Sequence, residues 1–148
     1  MKICIACSGG GHLSQAITIS KAIKGHEIYF VTCPLPHLKE GVGNFQTYFV
    51  VDPHVSILKY IKNLFQSIKI LLKKKPDVII STGSGIAIAS CLTGKLLGAK
   101  IIFVESGSRV VTPSKTGRLL YRYSDMFLIQ WETLRKNYPD AVNCGLLI

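Results

Sequence analysis

The sequence predicts a Rossmann-like α/β domain, a parallel sheet with helices on both faces, and three observations carry that expectation. Short unbroken apolar runs alternate with stretches of helical periodicity along all 148 residues. A glycine-rich turn, Ser8-Gly9-Gly10-Gly11-His12, directly follows the first of those runs. With 48% hydrophobic and 18% charged residues, the chain can bury a full core. Strands buried on both faces read as continuous apolar runs, and strands joined through helices pair in parallel with right-handed crossovers. At this length a single domain, residues 1–148, is expected.

Ile3 to Cys7 reads as the first strand, and His12 to Lys24 as a helix with Leu13, Ala16, Ile17, Ser20 and Ile23 at helical spacing. Ile28 to Thr32 and Thr47 to Val51 read as two further strands, separated by a Pro/Gly-containing loop from Cys33 to Asn44. That loop is long for a compact domain and is expected to be mobile or functional. From His54 to Lys75, Val55, Leu58, Ile61, Leu64, Phe65, Ile68, Leu71 and Leu72 form an apolar stripe, while Lys59, Lys62, Gln66, Lys69 and Lys73 fall on another face. Asp77 to Ser81 is a buried strand leaving through Gly83-Ser84-Gly85, and Ile86 to Leu97 is a helix closed by Gly98. Lys100 to Glu105 is the next strand, Ser106 to Pro113 a polar loop, and Ser114 to Tyr123 a short helix. Met126 to Gln130 is a last strand, before a terminal helix around Glu132 to Asn137.

A formal charge of +10 attracts polyanions, whether nucleic acid, anionic lipid or phosphate-bearing substrates, without choosing among them. Nucleic-acid binding rests on charge alone, with no recognisable module or aromatic stacking platform, so no nucleic-acid partner is expected. Of the five cysteines, Cys4, Cys7, Cys33 and Cys91 sit within or beside apolar runs, which suits reduced thiols in a core better than a disulfide framework. Cys4 and Cys7 have the CxxC spacing, but residues at odd separation on a strand point to opposite faces, which defeats chelation. No metal and no cofactor are expected.

Met1-Lys2-Ile3 enters a strand without a signal or transit pattern before it, so the whole chain is expected to be the mature one. The longest uncharged stretch, Val78 to Gly94, has 17 residues and is interrupted by Ser81-Thr82-Gly83-Ser84-Gly85. It falls short of the roughly 20 apolar residues of a spanning helix, so membrane contact is expected to be peripheral.

Ligands of open parallel sheets bind outside the carboxyl ends of the strands, which points to Ser8–His12, Thr82–Gly85 and Ser106–Arg109. Glycines let backbone N–H groups approach an anion, and the helix that follows presents unsatisfied amides; the alternative is that these glycines only make tight turns. Gly9-x-Gly11 is followed by Ser14 rather than a third glycine, and the second strand ends in Thr32-Cys33 without a ribose-binding acid, so the nicotinamide fingerprint is missing. The Walker Gly-Lys-Ser/Thr is missing too. His12 opens the first helix, where a neutral imidazole hydrogen-bonds a hydroxyl or acts as a base; otherwise it is a simple helix-start residue. Glu105 ends an apolar strand, and a lone acid there is expected to be a site residue, with Arg109 as its partner or as a phosphate clamp. His26, His37 and His54 belong to no evident constellation.

The segments "ACSGGGHLSQ" from Ala6, "KPDVIISTGSG" at 75–85, "GAKIIFVESGSRVVTPSKTGRLLY" at 98–121 and "DMFLIQW" at 125–131 together resemble the family of asparagine-linked glycosylation protein fourteen. Its bacterial relatives are exopolysaccharide proteins of the PssD and EpsE type. The resemblance covers nearly the whole chain and implies the N-terminal half of a GT-B glycosyltransferase such as MurG, standing as its own subunit. It implies a small catalytic partner holding most of the UDP-sugar site, UDP-GlcNAc in particular. This chain would supply the side that binds a lipid-linked sugar acceptor, and would dock the pair at the cytoplasmic face of the membrane. By motif, Gly9, Gly10, Gly11 and His12 match the family's first glycine-rich loop, Gly83, Ser84 and Gly85 the second, and Glu105 with Ser106, Ser108 and Arg109 the third.

Eukaryotic members carry an N-terminal membrane helix, and this chain opens on a strand, so anchoring by that route is not expected. The helix at 54–75 has six lysines and no acid, and Lys59, Lys62, Lys69 and Lys73 offer a substitute through attraction to anionic lipid. The alternative is that its apolar stripe is core and its lysines are merely solvated. The expected activity is sugar transfer from a UDP-sugar to a polyprenyl- or dolichyl-diphosphate-linked acceptor, with His12 or Glu105 as base and little activity without the partner. The rival reading is a non-catalytic membrane recruiter for a catalytic glycosyltransferase.

Overall fold

A computed structural model describes residues 1–38, 40–54 and 56–147; Val55 of the expected second helix, Lys39 of the long loop, Ile148 and the surroundings of His37 lie outside this description. The strands are β1 (Lys2–Cys7), β2 (Glu27–Thr32), β3 (Gln46–Phe49), β4 (Val78–Gly83), β5 (Lys100–Val104), β6 (Met126–Ile129) and β7 (Val142–Asn143). The helices are α1 (Gly11–Ala22), α2 (Ile57–Lys74), α3 (Ile86–Leu96) and α4 (Lys115–Leu120), with 3-10 turns at Pro36–Leu38 and Glu132–Lys136. Each expected strand is present within a few residues, and the last expected helix is the second 3-10 turn. The two-residue β7 was not foreseen.

All seven strands are parallel, in the order β3-β2-β1-β4-β5-β6-β7. Alternate residues feed two core layers. Cys4 and Ala6 pack with Tyr29, Ile79, Ile101 and Phe103 on one face, and Ile3, Ile5 and Cys7 pack with Leu13, Phe30, Ile80 and Val104 on the other. Cys4 and Cys7 therefore point to opposite sides of the sheet, and both thiols are buried. Burial pushes Cys7 up to about 12, so it stays protonated and inert. Within the loop from Cys33 to Asn44, Leu38 and Val42 are buried in the second layer.

The second helix bears on the two readings left open for its surface. Its inward face is Asn63, Ser67 and Leu71, and the apolar stripe turns outward. Ile57 is 76%, Leu58 79% and Phe65 68% exposed. The inward polar groups bind non-local partners: Asn63 Nδ2 donates to the Val51 carbonyl at 2.8 Å, Gln66 Oε1 accepts from Val51 N at 2.8 Å, and Ser90 Oγ on α3 donates to Ser67 Oγ at 3.3 Å. Leu71 of the stripe reaches the core, while Leu58, Ile61, Leu64, Phe65 and Leu72 stay exposed. Lys59, Lys62, Lys69 and Lys73 are exposed on the same helix.

Candidate functional site

β1 and β4 are neighbours at the centre of the sheet, and the strand order reverses between them, which opens a crevice beyond their carboxyl ends. Their register slips at the last step, from Ala6 opposite Ser81 to Cys7 opposite Gly83, leaving Thr82 out of step. Thr82 turns both polar groups to His12. His12 Nδ1 lies 2.6 Å from the Thr82 carbonyl oxygen, and Thr82 Oγ1 donates to the His12 carbonyl at 2.8 Å. A carbonyl only accepts, so Nδ1 carries the proton, and in the neutral ring Nε2 keeps its lone pair. Gly83 backs the ring, with φ of 110° and space so tight that a Cβ would stand 3.0 Å from His12 Cε1. No other residue meets both demands.

His12 lines a cavity of about 530 Å³ together with Ser84, Ser106, Ser108, Arg109, Thr112, Pro113, Ser114, Lys115, Thr116 and Arg118. Three cations stand on this lining and no carboxylate does. Lys115 opens α4, whose first turn holds no acid, and Arg118 lies in its last turn; a cation at a helix N-terminus opposes its dipole and is stabilised by an anion placed there. Four serines and two threonines add hydroxyl donors and acceptors. The arrangement suits a phosphate-bearing group, with the imidazole at its border.

Glu105 does not line that cavity, which corrects the expectation that it is an accessible site acid paired with Arg109. It is 1% exposed. Its Oε1 accepts from Ser106 N at 3.0 Å; its Oε2 accepts from Ser114 N and Ser114 Oγ at 3.1 Å each and from Tyr138 OH at 3.0 Å. Gly117 presses on the same carboxylate, and a Cβ there would collide with Oε2. Burial requires such satisfaction, and the carboxylate is spent on structure. Arg109 is exposed at the cavity instead.

Ser8 lies in an adjoining cavity of about 440 Å³ with Asp52, His54, Tyr60, Ser84, Gly85, Lys115 and Thr116. His54, expected to stand alone, faces Asp52, with His54 Nε2 3.6 Å from Asp52 Oδ2. Ser84 (φ 82°) and His54 (φ 45°) both take left-handed backbone there, strain that collects at functional sites. Gly9 packs on Leu35, whereas Gly10 and Gly11 have open space where a side chain would stand, at the exposed start of α1. Lys59 reaches a third cavity with Cys33, Asp52 and His54; Lys62, Lys69 and Lys73 line none of the cavities described here. The groove thus runs from Arg118 past Ser84 and Asp52 to the start of α2. Among the described residues no group of three or more His, Cys, Asp or Glu is placed to hold a metal.

Thr82 was named from sequence only as the start of a candidate loop, without its role at His12, and Thr112, Ser114, Lys115, Thr116 and Arg118 were missed. Two signals pointed to the last four: the Ser114-to-Gly117 cap spacing, and two cations within one short helix following a candidate loop. The cap is real, with Gly117 N donating to Ser114 Oγ at 2.8 Å.

Comparison with known proteins then places the chain. It is 33% identical over 99 residues to the mouse UDP-N-acetylglucosamine transferase subunit ALG14, an alignment covering 63% of this chain and 46% of that protein. It is 26% identical over 153 residues to a pyrophosphoryl-undecaprenol N-acetylglucosamine transferase of Gloeothece citriformis, covering 95% of this chain and 42% of the other. The chain thus spans about half the length of the curated relatives it matches. Its fold matches crystalline Acinetobacter baumannii MurG with a TM-score of 0.78 at 18% identity, over 99% of this chain and 44% of that one. The family described as "Oligosaccharide biosynthesis protein Alg14 like" matches residues 50–147, and the chain belongs to that family.

Proposed function

We propose that this chain is the acceptor-side subunit of a two-component glycosyltransferase, moving N-acetylglucosamine from its UDP donor to a sugar carried on a polyprenyl or dolichyl diphosphate. The observation that carries this reading is the cavity at the strand-order reversal, where Arg109, Lys115 and Arg118 surround a lining without carboxylates and His12, its Nδ1 held by the Thr82 carbonyl, stands at the border. The names of the relatives agree, one being a transferase subunit and another acting on a pyrophosphoryl-undecaprenol compound.

In this reading the cations hold the acceptor diphosphate and His12 Nε2 takes the proton from the acceptor hydroxyl. The hydroxyl oxygen then bonds to the anomeric carbon as the bond to UDP breaks on the opposite face, giving inversion, and UDP leaves with its electron pair. Thr82 keeps the imidazole oriented and stabilises the imidazolium through its carbonyl. Most of the nucleotide-sugar site belongs to the partner, so the chain alone is idle.

The outward face of α2 supports peripheral docking at the cytoplasmic side of a membrane. Ile57, Leu58, Ile61 and Phe65 supply apolar area, and Lys59, Lys62, Lys69 and Lys73 supply about 1 kcal/mol each at an anionic surface. No helix among the described residues is long and apolar enough to cross a membrane. Co-expression with a small glycosyltransferase-type protein from the neighbouring genes, followed by purification and assay with UDP-N-acetylglucosamine and lipid-linked acceptor, tests the proposal. Activity in the pair and not in either chain alone is expected. No co-purifying partner, or full activity of this chain alone, contradicts it.

A further inference from the structure

We infer that Tyr138, acting through the buried Glu105 carboxylate, is a positioning residue for the cation-bearing loop and helix, with Trp131 and Thr133 as its companions. This rests on the reading of that loop as the diphosphate site. The segment from Ser106 to Pro113 begins and ends on one carboxylate: Ser106 N binds Oε1, and Ser114 N and Oγ bind Oε2. Ser114 also caps α4, so the same carboxylate sets where Lys115 and Arg118 begin.

Tyr138 completes this arrangement from 33 residues away, donating to Oε2 at 3.0 Å from a side chain that is itself buried. Burial and the neighbouring Glu105 charge push the phenol well above its ordinary 10, which keeps it a donor. Two further side chains of the same segment hold the middle of the loop. Trp131 Nε1 donates to the Gly107 carbonyl at 2.7 Å, and Thr133 Oγ1 donates to the Val110 carbonyl. Gln130 Nε2 donates to the Glu105 carbonyl at 2.9 Å.

None of these four side chains lines the cavity, so none binds the ligand. Their common effect is to fix the backbone that carries Ser106, Ser108 and Arg109. Arg109 on a loosely held loop is repelled by Lys115 and Arg118 of α4 and swings away from them; a loop tied at Glu105, Gly107 and Val110 keeps the three cations converging before the anion arrives. Such pre-organisation raises affinity without adding a contact.

The chain has one tryptophan, so its indole N–H gives a single resonance that reports on the bond to Gly107. Pyrophosphate titrated into the labelled chain should move that resonance and slow its exchange with solvent. Tyr138→Phe removes one oxygen and should weaken pyrophosphate binding about tenfold and speed indole exchange, while the amides of Ile5, Phe30 and Ile79 stay protected. Thr133→Val should act in the same direction. Pyrophosphate affinity and indole exchange unchanged in Tyr138→Phe overturn the inference, as does protection lost equally in the core strands. The double variant Arg109→Gln, Arg118→Gln separates the two readings: if it binds pyrophosphate like the wild type, or if the wild type does not bind, the site reading itself fails. If the double variant loses binding and Tyr138→Phe does not, only the positioning role fails.

Discussion

Replacing Leu58 and Phe65 by serine should leave the fold intact and weaken membrane binding about 10- to 100-fold, the reverse of what truncating a core-facing stripe would do. Both side chains already stand in water, 79% and 68% exposed, so their loss should change folding stability by no more than about 0.5 kcal/mol. Had the stripe been core, truncating the pair would cost several kcal/mol, since a buried Leu or Phe alone contributes about 2–5 kcal/mol. On a membrane the balance differs. Full burial of each side chain is worth roughly 1.5–3 kcal/mol, and half-insertion of both would still give about 1.5–3 kcal/mol, or a 10- to 100-fold change in partitioning. Replacing Lys59, Lys62, Lys69 and Lys73 by glutamine removes about 4 kcal/mol more at an anionic surface. Sedimentation with vesicles containing anionic lipid, run beside thermal unfolding, reads both quantities. A drop in melting temperature beyond about 5 °C, or unchanged vesicle binding, would refute the outward-facing assignment.

Gly83→Ala forces a side chain into left-handed backbone and against the imidazole; about 1–3 kcal/mol of stability should be lost, and activity of the reconstituted pair should fall further than that loss explains, read by unfolding and transferase assay together. Glu105→Gln places amide hydrogens against three donors at Oε2, and a loss of about 3 kcal/mol is expected, seen as a melting temperature lower by roughly 6–12 °C. Asp125 accepts from Lys95, from Ile101 N and from Lys100, which holds its carboxyl at about 2 against an ordinary 3.8. A depressed folded value means stability present above pH 3.8 and lost as pH falls towards 2, so Asp125→Asn should flatten acid unfolding across that window and leave a weaker protein at pH 7.

The sheet was legible because its inner strands β1, β2, β4 and β5 are largely buried on both faces and so leave continuous apolar runs; Ile79-Ile80 and Ile101-Ile102-Phe103 cannot be mistaken for solvated loops. β7 was not legible, since Val142 and Asn143 form an edge pair with no apolar pattern. The periodicity of α2 was plain, but periodicity shows that a stripe exists and not what it faces. The inward side is decided by Asn63 and Gln66 meeting Val51 and by Ser67 meeting Ser90, contacts made across the fold. Glu105 misled for the same reason: its partner Tyr138 lies 33 residues on, and a lone acid at a strand end looks functional until that partner is seen. His12 was placed correctly at the mouth of α1, yet its proton is assigned only by the Thr82 carbonyl, whose position depends on a register slip that composition does not reveal.

The turnover of the reconstituted pair carrying His12→Gln, measured with detergent-solubilised lipid-linked acceptor so that membrane recruitment plays no part, tests the catalytic assignment most directly. Loss of the base predicts a kcat lowered by roughly 10²–10⁴ with the acceptor KM close to that of the wild type, while the two subunits still co-purify. A kcat equal to that of the wild type would contradict it and leave this chain a recruiter for a partner that does all the chemistry.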